Sequence, residues 1–334
     1  MRQHLISLCV LGLFSFGSLA QQSEKNLEQY IENISKENLI KQLTVLASDE
    51  MEGRKTGEAG QKMAAEYIRA YYKKIGIEPA KGTDDYYQTV PSEAMRKMFS
   101  PKLNDSENVV AFIEGSEFPD EYIVISAHYD HVGMANGEIY NGADDDASGT
   151  TAVMEIARLF QKAKLEGNEP KRSLVFLHCT GEEYGLHGSR FYTKNPLYPL
   201  NNTICNLNID MIGRTDNKHA KSKNYLYLVG ADRLSQELHD LSEKTNEKYT
   251  QLILDYEFNE DNHPEQIYYR SDHYNFAVKN IPVIFYYSGE HPDYHKPTDT
   301  VDKIEFDKMQ QRVKLIFATA WEIANQPNKI KLNQ

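Results

Sequence analysis

Three consecutive carboxylates, Asp144, Asp145 and Asp146, stand between two glycines and directly before a helix-forming run. No other stretch restricts the fold as much. Adjacent acids are costly to bury and poor strand formers. Gly142 and Gly149 admit sharp backbone geometry. Residues 151–160 are apolar at helical spacing, which predicts a helix starting near Ser148. Asp146 or Ser148 can cap that helix, and a helix start tolerates negative charge. Taken alone, an acidic turn that caps a helix accounts for all three aspartates. The flanking segments point further.

Residues 121–130 form a short β-branched run that ends at His128. Residues 173–179 form another, followed by Thr180-Gly-Glu182-Glu183-Tyr-Gly185. Residues 206–213 carry Asp210 near the end of a third. Residues 282–286 form a fourth, followed by a loop with His291, Tyr294 and His295. Polar candidates therefore collect where strands end, the edge at which open α/β sheets bind ligands.

Elsewhere the pattern alternates. Residues 33–77 read as helical, with a break at residues 49–54 and a second helix over 58–74. Leu39, Leu43, Val45 and Leu46 form one apolar face. Residues 86–90, 108–113 and 224–229 read as strands, and residues 252–254 as an edge strand. Residues 232–247 and 303–323 read as helices, residues 92–105 as a loop. This order predicts an α/β fold: a mixed, mostly parallel central sheet with helices on both faces, in three layers.

Composition excludes some functions. A formal net charge of -12 over 334 residues, with no basic stripe, argues against a nucleic-acid partner. Residues 1–20 read as a cleavable export signal: Arg2, an apolar core over 5–14, then Ser18-Leu-Ala20. That core is too short to span a bilayer. Cys9 inside it is poorly placed for lipid attachment, so no stable membrane anchor is expected. The destination is the periplasm or the medium. Removing the signal leaves Cys179 and Cys205. They fall at opposite ends of two strands, and parallel strands would hold them beyond the ~7 Å Cα limit for a disulfide. Two free, buried thiols follow. No composition shift marks a linker, so residues 21–334 are expected to form one domain.

His128, Asp145, Glu183, Asp210 and His295 are a donor set suited to zinc. Two Zn²⁺ ions bring four positive charges, which three carboxylates and one hydroxide would cancel. That balance favours five ligands around two metals with one carboxylate shared. Glu182 is then the candidate general base, and Asp130 the carboxylate that fixes the His128 tautomer. Each signal is weak singly; their joint placement at successive strand ends gives them weight.

The segments Ser126-Ala-His128-Tyr-Asp130, Gly142-Ala-Asp-Asp145-Asp-Ala-Ser-Gly149, Thr180-Gly-Glu182-Glu183-Tyr-Gly185, Asn208-Ile-Asp210-Met-Ile-Gly213 and Tyr294-His295-Lys-Pro-Thr-Asp-Thr300 closely resemble the secreted dinuclear zinc exopeptidases. That family includes bacterial leucyl-type aminopeptidases, aminopeptidase Y and glutamate carboxypeptidase. The resemblance runs from about Leu46 to the last helix, with the motifs in family order. It implies a zinc-exopeptidase catalytic domain of phosphorylase/hydrolase-like fold. Some members carry a protease-associated insert, for which the gap between the second helix and Asn108 is too short. His128 and Asp210 would hold one zinc, Glu183 and His295 the other. Asp145 matches the bridging carboxylate, often followed by a cis peptide. Glu182 matches the general base, and Tyr294 a tyrosine that stabilises the tetrahedral intermediate. Arg270-Ser-Asp-His273 resembles, more loosely, a segment near the substrate amine or metal pocket.

The implied activity is an aminopeptidase acting on peptides with a free N-terminus. A carboxypeptidase or dipeptidase would need a cation for the substrate carboxylate, and Arg214 is available for that role. A glutaminyl-peptide cyclotransferase shares the fold and much of the motif set, but typically with one zinc. A non-enzymatic relative would have lost ligands or Glu182, and none is lost.

Overall fold

The strands and helices follow the apolar pattern closely. The structure is a computed structural model, and it describes residues 26–96, 102–222 and 224–334. The expected export signal at residues 1–20, Cys9 included, and part of the expected 92–105 loop lie outside these residues. The strands are β1 (Glu78–Pro79), β2 (Tyr87–Val90), β3 (Ser106–Ile113), β4 (Phe118–His128), β5 (Gly133–Ala135), β6 (Glu138–Tyr140), β7 (Arg172–Cys179), β8 (Thr203–Ile209), β9 (Tyr225–Val229), β10 (Ile253–Asp255) and β11 (Val283–Tyr287). The helices are α1 (residues 26–32), α2 (Lys36–Leu46), α3 (Ala59–Ile75), α4 (Gly149–Leu165), α5 (His187–Lys194), α6 (Gln236–Tyr249), α7 (His273–Ala277) and α8 (Phe306–Asn325).

Nine strands form one sheet in the order β1-β3-β7-β4-β8-β11-β9-β10, with β2 also on β3. Its middle, β7-β4-β8-β11, is parallel throughout. Antiparallel pairings attach β3 on one side and β9 on the other. The strands β5 and β6 form a separate hairpin.

Side chains of the middle strands alternate between two apolar layers, as a pleated strand buried on both faces must. Ile123, Ile125, Leu174 and Phe176 meet Leu43 of α2, Ile68 of α3, Ile156 of α4 and Phe317 of α8. Val124, Val175 and Leu177 face the other way, against Tyr192 of α5 and Phe276 of α7. This is the expected three-layer α/β arrangement.

From β4 the chain crosses through α4 to β7 on one side, then returns to β8 on the other. That reversal opens a crevice at the carboxyl ends of these strands, where loops diverge.

The expected break at residues 49–54 is a tight turn in which Glu52, Gly53 and Arg54 take positive φ. Local differences have local causes. The helix expected from residue 232 starts at Gln236, where the Ser235 side chain caps the N–H of Leu238. At α4 the helix start is capped by Asp146, whose Oδ1 accepts the N–H of Gly149 at 2.8 Å. Ser148 instead donates to the carbonyl of Asp144 and accepts from the N–H of Ile212. Gly149 has ordinary helical φ, so its role is space: a Cβ there would lie 2.4 Å from the carbonyl oxygen of Ile209. This contact brings the start of α4 against the end of β8, and with it Asp145 toward Asp210. Cys179 and Cys205 are free and buried. They pair with His128 and Ile123 on opposite sides of β4, five residues apart in register.

Candidate metal centre

Four of the proposed donors stand at the ends of the four parallel strands. His128 ends β4, Glu183 follows β7, Asp210 follows β8 and His295 lies in the loop after β11. Asp145 enters from the acidic turn before α4. Its Oδ1 lies 3.2 Å from His128 Nε2, and its Oδ2 lies 3.0 Å from His295 Nε2. Asp210 Oδ1 is 3.6 Å from His128 Nε2, and Glu183 Oε2 is 3.0 Å from His295 Nε2. Two donor groups thus share one carboxylate.

The three aspartates have separate tasks. Asp144 accepts the N–H of Gly213 through Oδ1, with Oδ2 3.3 Å from His291 Nε2. Asp146 accepts from Gly149 and, at 3.1 Å, from the N–H of Met211. Asp299 receives the backbone N–H groups of Asp144 and Asp145. With its neighbours anchored, Asp145 is left to face the crevice. The Asp145–Asp146 peptide bond is cis, as the resemblance implied.

Behind the turn lies Arg54, a residue with no signal in the sequence. It is fully buried and donates to the carbonyls of Leu46 (2.6 Å), Tyr129 (2.8 Å), Asn141 (2.7 Å) and Gly142 (2.9 Å). One guanidinium thereby joins α2, the segment after His128 and the acidic turn. Five donors in a planar fork suit such a junction.

Glu182 lies beside the first group, its Oε2 4.0 Å from His128 Nε2. Burial pushes its carboxyl well above the usual range, and the neighbouring Glu183 and Asp210 act in the same sense. Burial works to raise Asp145 too, but His131, His128 and His295 together hold it well below its ordinary value. For His295, burial would depress the imidazole, while Asp145 and Glu183 raise it to about 10.

Two expectations need correction. Asp130 was expected to hold the His128 imidazole through its carboxylate. The group 3.0 Å from His128 Nδ1 is instead the backbone carbonyl of Asp130, and the carboxylate Oδ1 is 3.8 Å away. That carboxylate accepts from the Thr56 hydroxyl at 2.7 Å and the N–H of Glu182 at 3.2 Å. It fixes the loop that carries Glu182, because two closer donors claim it. Arg214 was available to bind a substrate carboxylate. Its Nη2 is paired with Asp293 at 3.0 Å, and it does not line the crevice beside Glu182.

Arg270 and Tyr294 do line that crevice. Arg270 pairs with Glu290 at 2.8 Å, and its Nη2 is 3.4 Å from the Tyr294 hydroxyl. Tyr294 stacks on His295 with ring centroids 3.9 Å apart. Two more residues take part. The Ser271 hydroxyl donates to Asp210 Oδ2; only the loose match of residues 270–273 hinted at it. His131 stands with Asp145 and Glu183; the histidine in His-Tyr-Asp-His was the available signal.

These residues suit divalent cations. No lysine or arginine among the described residues forms an ion pair with Asp145, Glu182, Glu183 or Asp210. Asp145 Oδ2 and Glu183 Oε1 are buried without a hydrogen bond. Unneutralised carboxylates in such surroundings are expensive, and imidazole–carboxylate donor sets suit zinc.

The sequence model of peptidase family M28 matches residues 108–320. A probable leucine aminopeptidase of Trichophyton verrucosum is 28% identical over 273 residues, covering 78% of this chain and 71% of that protein. A probable zinc metalloprotease of Pyricularia oryzae is 35% identical over 158 residues, 46% of this chain and 29% of that protein. The LapA aminopeptidase of Legionella pneumophila has a similar structure, with a TM-score of 0.70 at 22% identity, covering 91% of this chain and 76% of that one.

Proposed function

The chain belongs to peptidase family M28, and we propose that it is a zinc aminopeptidase that releases N-terminal residues from peptides with a free α-amine. The observation that carries this reading is Asp145, one carboxylate with each oxygen facing a different histidine. In this reading His128 and Asp210 would hold one zinc, Glu183 and His295 would hold the other, and Asp145 would be shared. When bound, the two ions supply the positive charge that acidifies water and polarises the scissile carbonyl.

The chain's own groups do the rest. Glu182 accepts the proton of the attacking water and passes it to the leaving amine. The Tyr294 hydroxyl faces the same crevice and donates to the carbonyl oxygen as charge builds there. Asp130 holds the backbone of Glu182 in place. Met211, Ile267, Phe285 and Tyr287 line the adjoining wall, which favours an apolar N-terminal side chain.

A carboxypeptidase needs a free cation for the substrate carboxylate, and Arg214 is already paired. Export through residues 1–20 belongs to this proposal, as does a single catalytic domain. No helix among the described residues is long and apolar enough to cross a membrane.

Leucyl-p-nitroanilide, its N-acetyl derivative and an N-terminal glutaminyl peptide test the activity together. Hydrolysis of the first alone is expected. Cleavage of the blocked substrate, or cyclisation of the glutaminyl peptide, would replace this reading with another.

A further inference from the structure

His131 is fully buried, yet neither ring nitrogen makes a hydrogen bond. A buried imidazole has lost its hydration and needs the carboxylates or ions around it in compensation. Its Nδ1 lies 2.7 Å from Glu183 Oε1 and 3.7 Å from Asp145 Oδ2. That short contact brings two potential ligand atoms together. His295 joins the same convergence, its ring 5.7 Å from that of His131 at 66°. Asp145, Glu183 and His131 offer ligand atoms that all lie within 4.8 Å of one another.

The fold holds His131 there firmly. Its N–H donates to the carbonyl of Arg54 at 3.1 Å, the same arginine whose side chain clamps the acidic turn. Its ring lies against Gly142: a Cβ on that residue would come within 2.5 Å of the imidazole. The turn that presents Asp145 therefore leaves room for this ring and no more.

We propose that His131 is a sixth protein ligand, joining Asp145, Glu183 and His295 around the second metal. The proposal rests on the dinuclear reading above and goes beyond its five ligands. The two metals are then unlike. One has His128, Asp210 and a share of Asp145; the other has two imidazoles and Glu183 besides its share. With a water, the second ion reaches five-coordination, which zinc accepts. The second ion is held more tightly by protein, and the first is left more open to substrate.

Zinc K-edge X-ray absorption on the dizinc protein tests this by counting imidazoles. Three histidines over two zinc ions are expected in the native protein, and two in His131→Ala. Two in the native protein would overturn the proposal and leave the dinuclear reading standing. A native protein that binds a single zinc would remove both. The native count needs no variant, so it holds even if His131→Ala misfolds. His131→Gln, which keeps a polar head in the pocket, supplies a second readout by zinc transfer to a chromophoric chelator. One of the two ions should leave at least about tenfold faster than in the native protein, with the other unchanged. Unaltered release of both would overturn the assignment.

Discussion

The Ser271 hydroxyl donates a 2.6 Å hydrogen bond to Asp210 Oδ2, while Asp210 Oδ1 faces His128. Ser271 also accepts from Asn208 Nδ2 at 2.8 Å. Asn208 in turn accepts from the Ser126 hydroxyl at 2.7 Å, and Ser126 from Asn206 Nδ2 at 2.8 Å. This buried chain of side chains runs between β4 and β8 and ends on a proposed ligand. It restricts Asp210 to presenting one oxygen. Ser271→Ala is expected to weaken zinc binding by about 10- to 100-fold with little change in the unfolding midpoint of the metal-free protein. Unchanged zinc affinity would show that the hydrogen bond merely fills space.

Glu182 is separated from the proposed ligands by function alone. Glu182→Gln keeps the size and the fold but cannot accept a proton. A fall in kcat of several orders of magnitude is expected, with zinc content retained. Near-native turnover at full zinc content would reassign the base.

Arg54 supports the site without entering it. Arg54→Met would leave the four carbonyls of Leu46, Tyr129, Asn141 and Gly142 without this donor. A loss of more than about 3 kcal/mol is expected from urea denaturation. Arg69 makes exposed pairs with Glu66 and Asp85, so Arg69→Met should cost less than about 1 kcal/mol. Equal costs would contradict the clamp.

Much of this arrangement was legible because it depends on short-range pattern. β-branched runs that end in His128 or lead into Asp210 and Glu183 mark parallel strands and their carboxyl ends, and a parallel sheet fixes which ends meet. Long-range pairing left no such mark. Nothing near Arg214 reveals that Asp293 neutralises it, and nothing near Asp130 reveals that Thr56 claims its carboxylate. Arg54 looks like a loop cation, and its four carbonyl partners span nearly a hundred residues. His131 was visible as a residue but not as a participant. Its role depends on how the chain turns after β4 and on the room left by Gly142.

Acid should weaken the fold through His178. Its Nε2 is 2.7 Å from the Tyr72 hydroxyl, and burial depresses its pKa from 6.5 to about 3. The unfolded chain takes up a proton below pH 6.5 that the folded chain refuses. This contribution is therefore complete above that pH and is lost as pH falls toward 3, at about 1.4 kcal/mol per unit. His273, likewise depressed to about 3 by burial, adds a similar slope. His178→Gln should be less stable at pH 7 but lose stability less steeply between pH 6 and 4 in urea titrations. Parallel slopes would rule out His178 as a source.

Asp145 is predicted to serve two metal ions at once. Calorimetric titration of the metal-free protein with zinc tests it most directly. Two equivalents are predicted for the native chain, with both affinities reduced in Asp145→Asn. A native stoichiometry of one, or an Asp145→Asn variant in which one site keeps its full affinity, would contradict it.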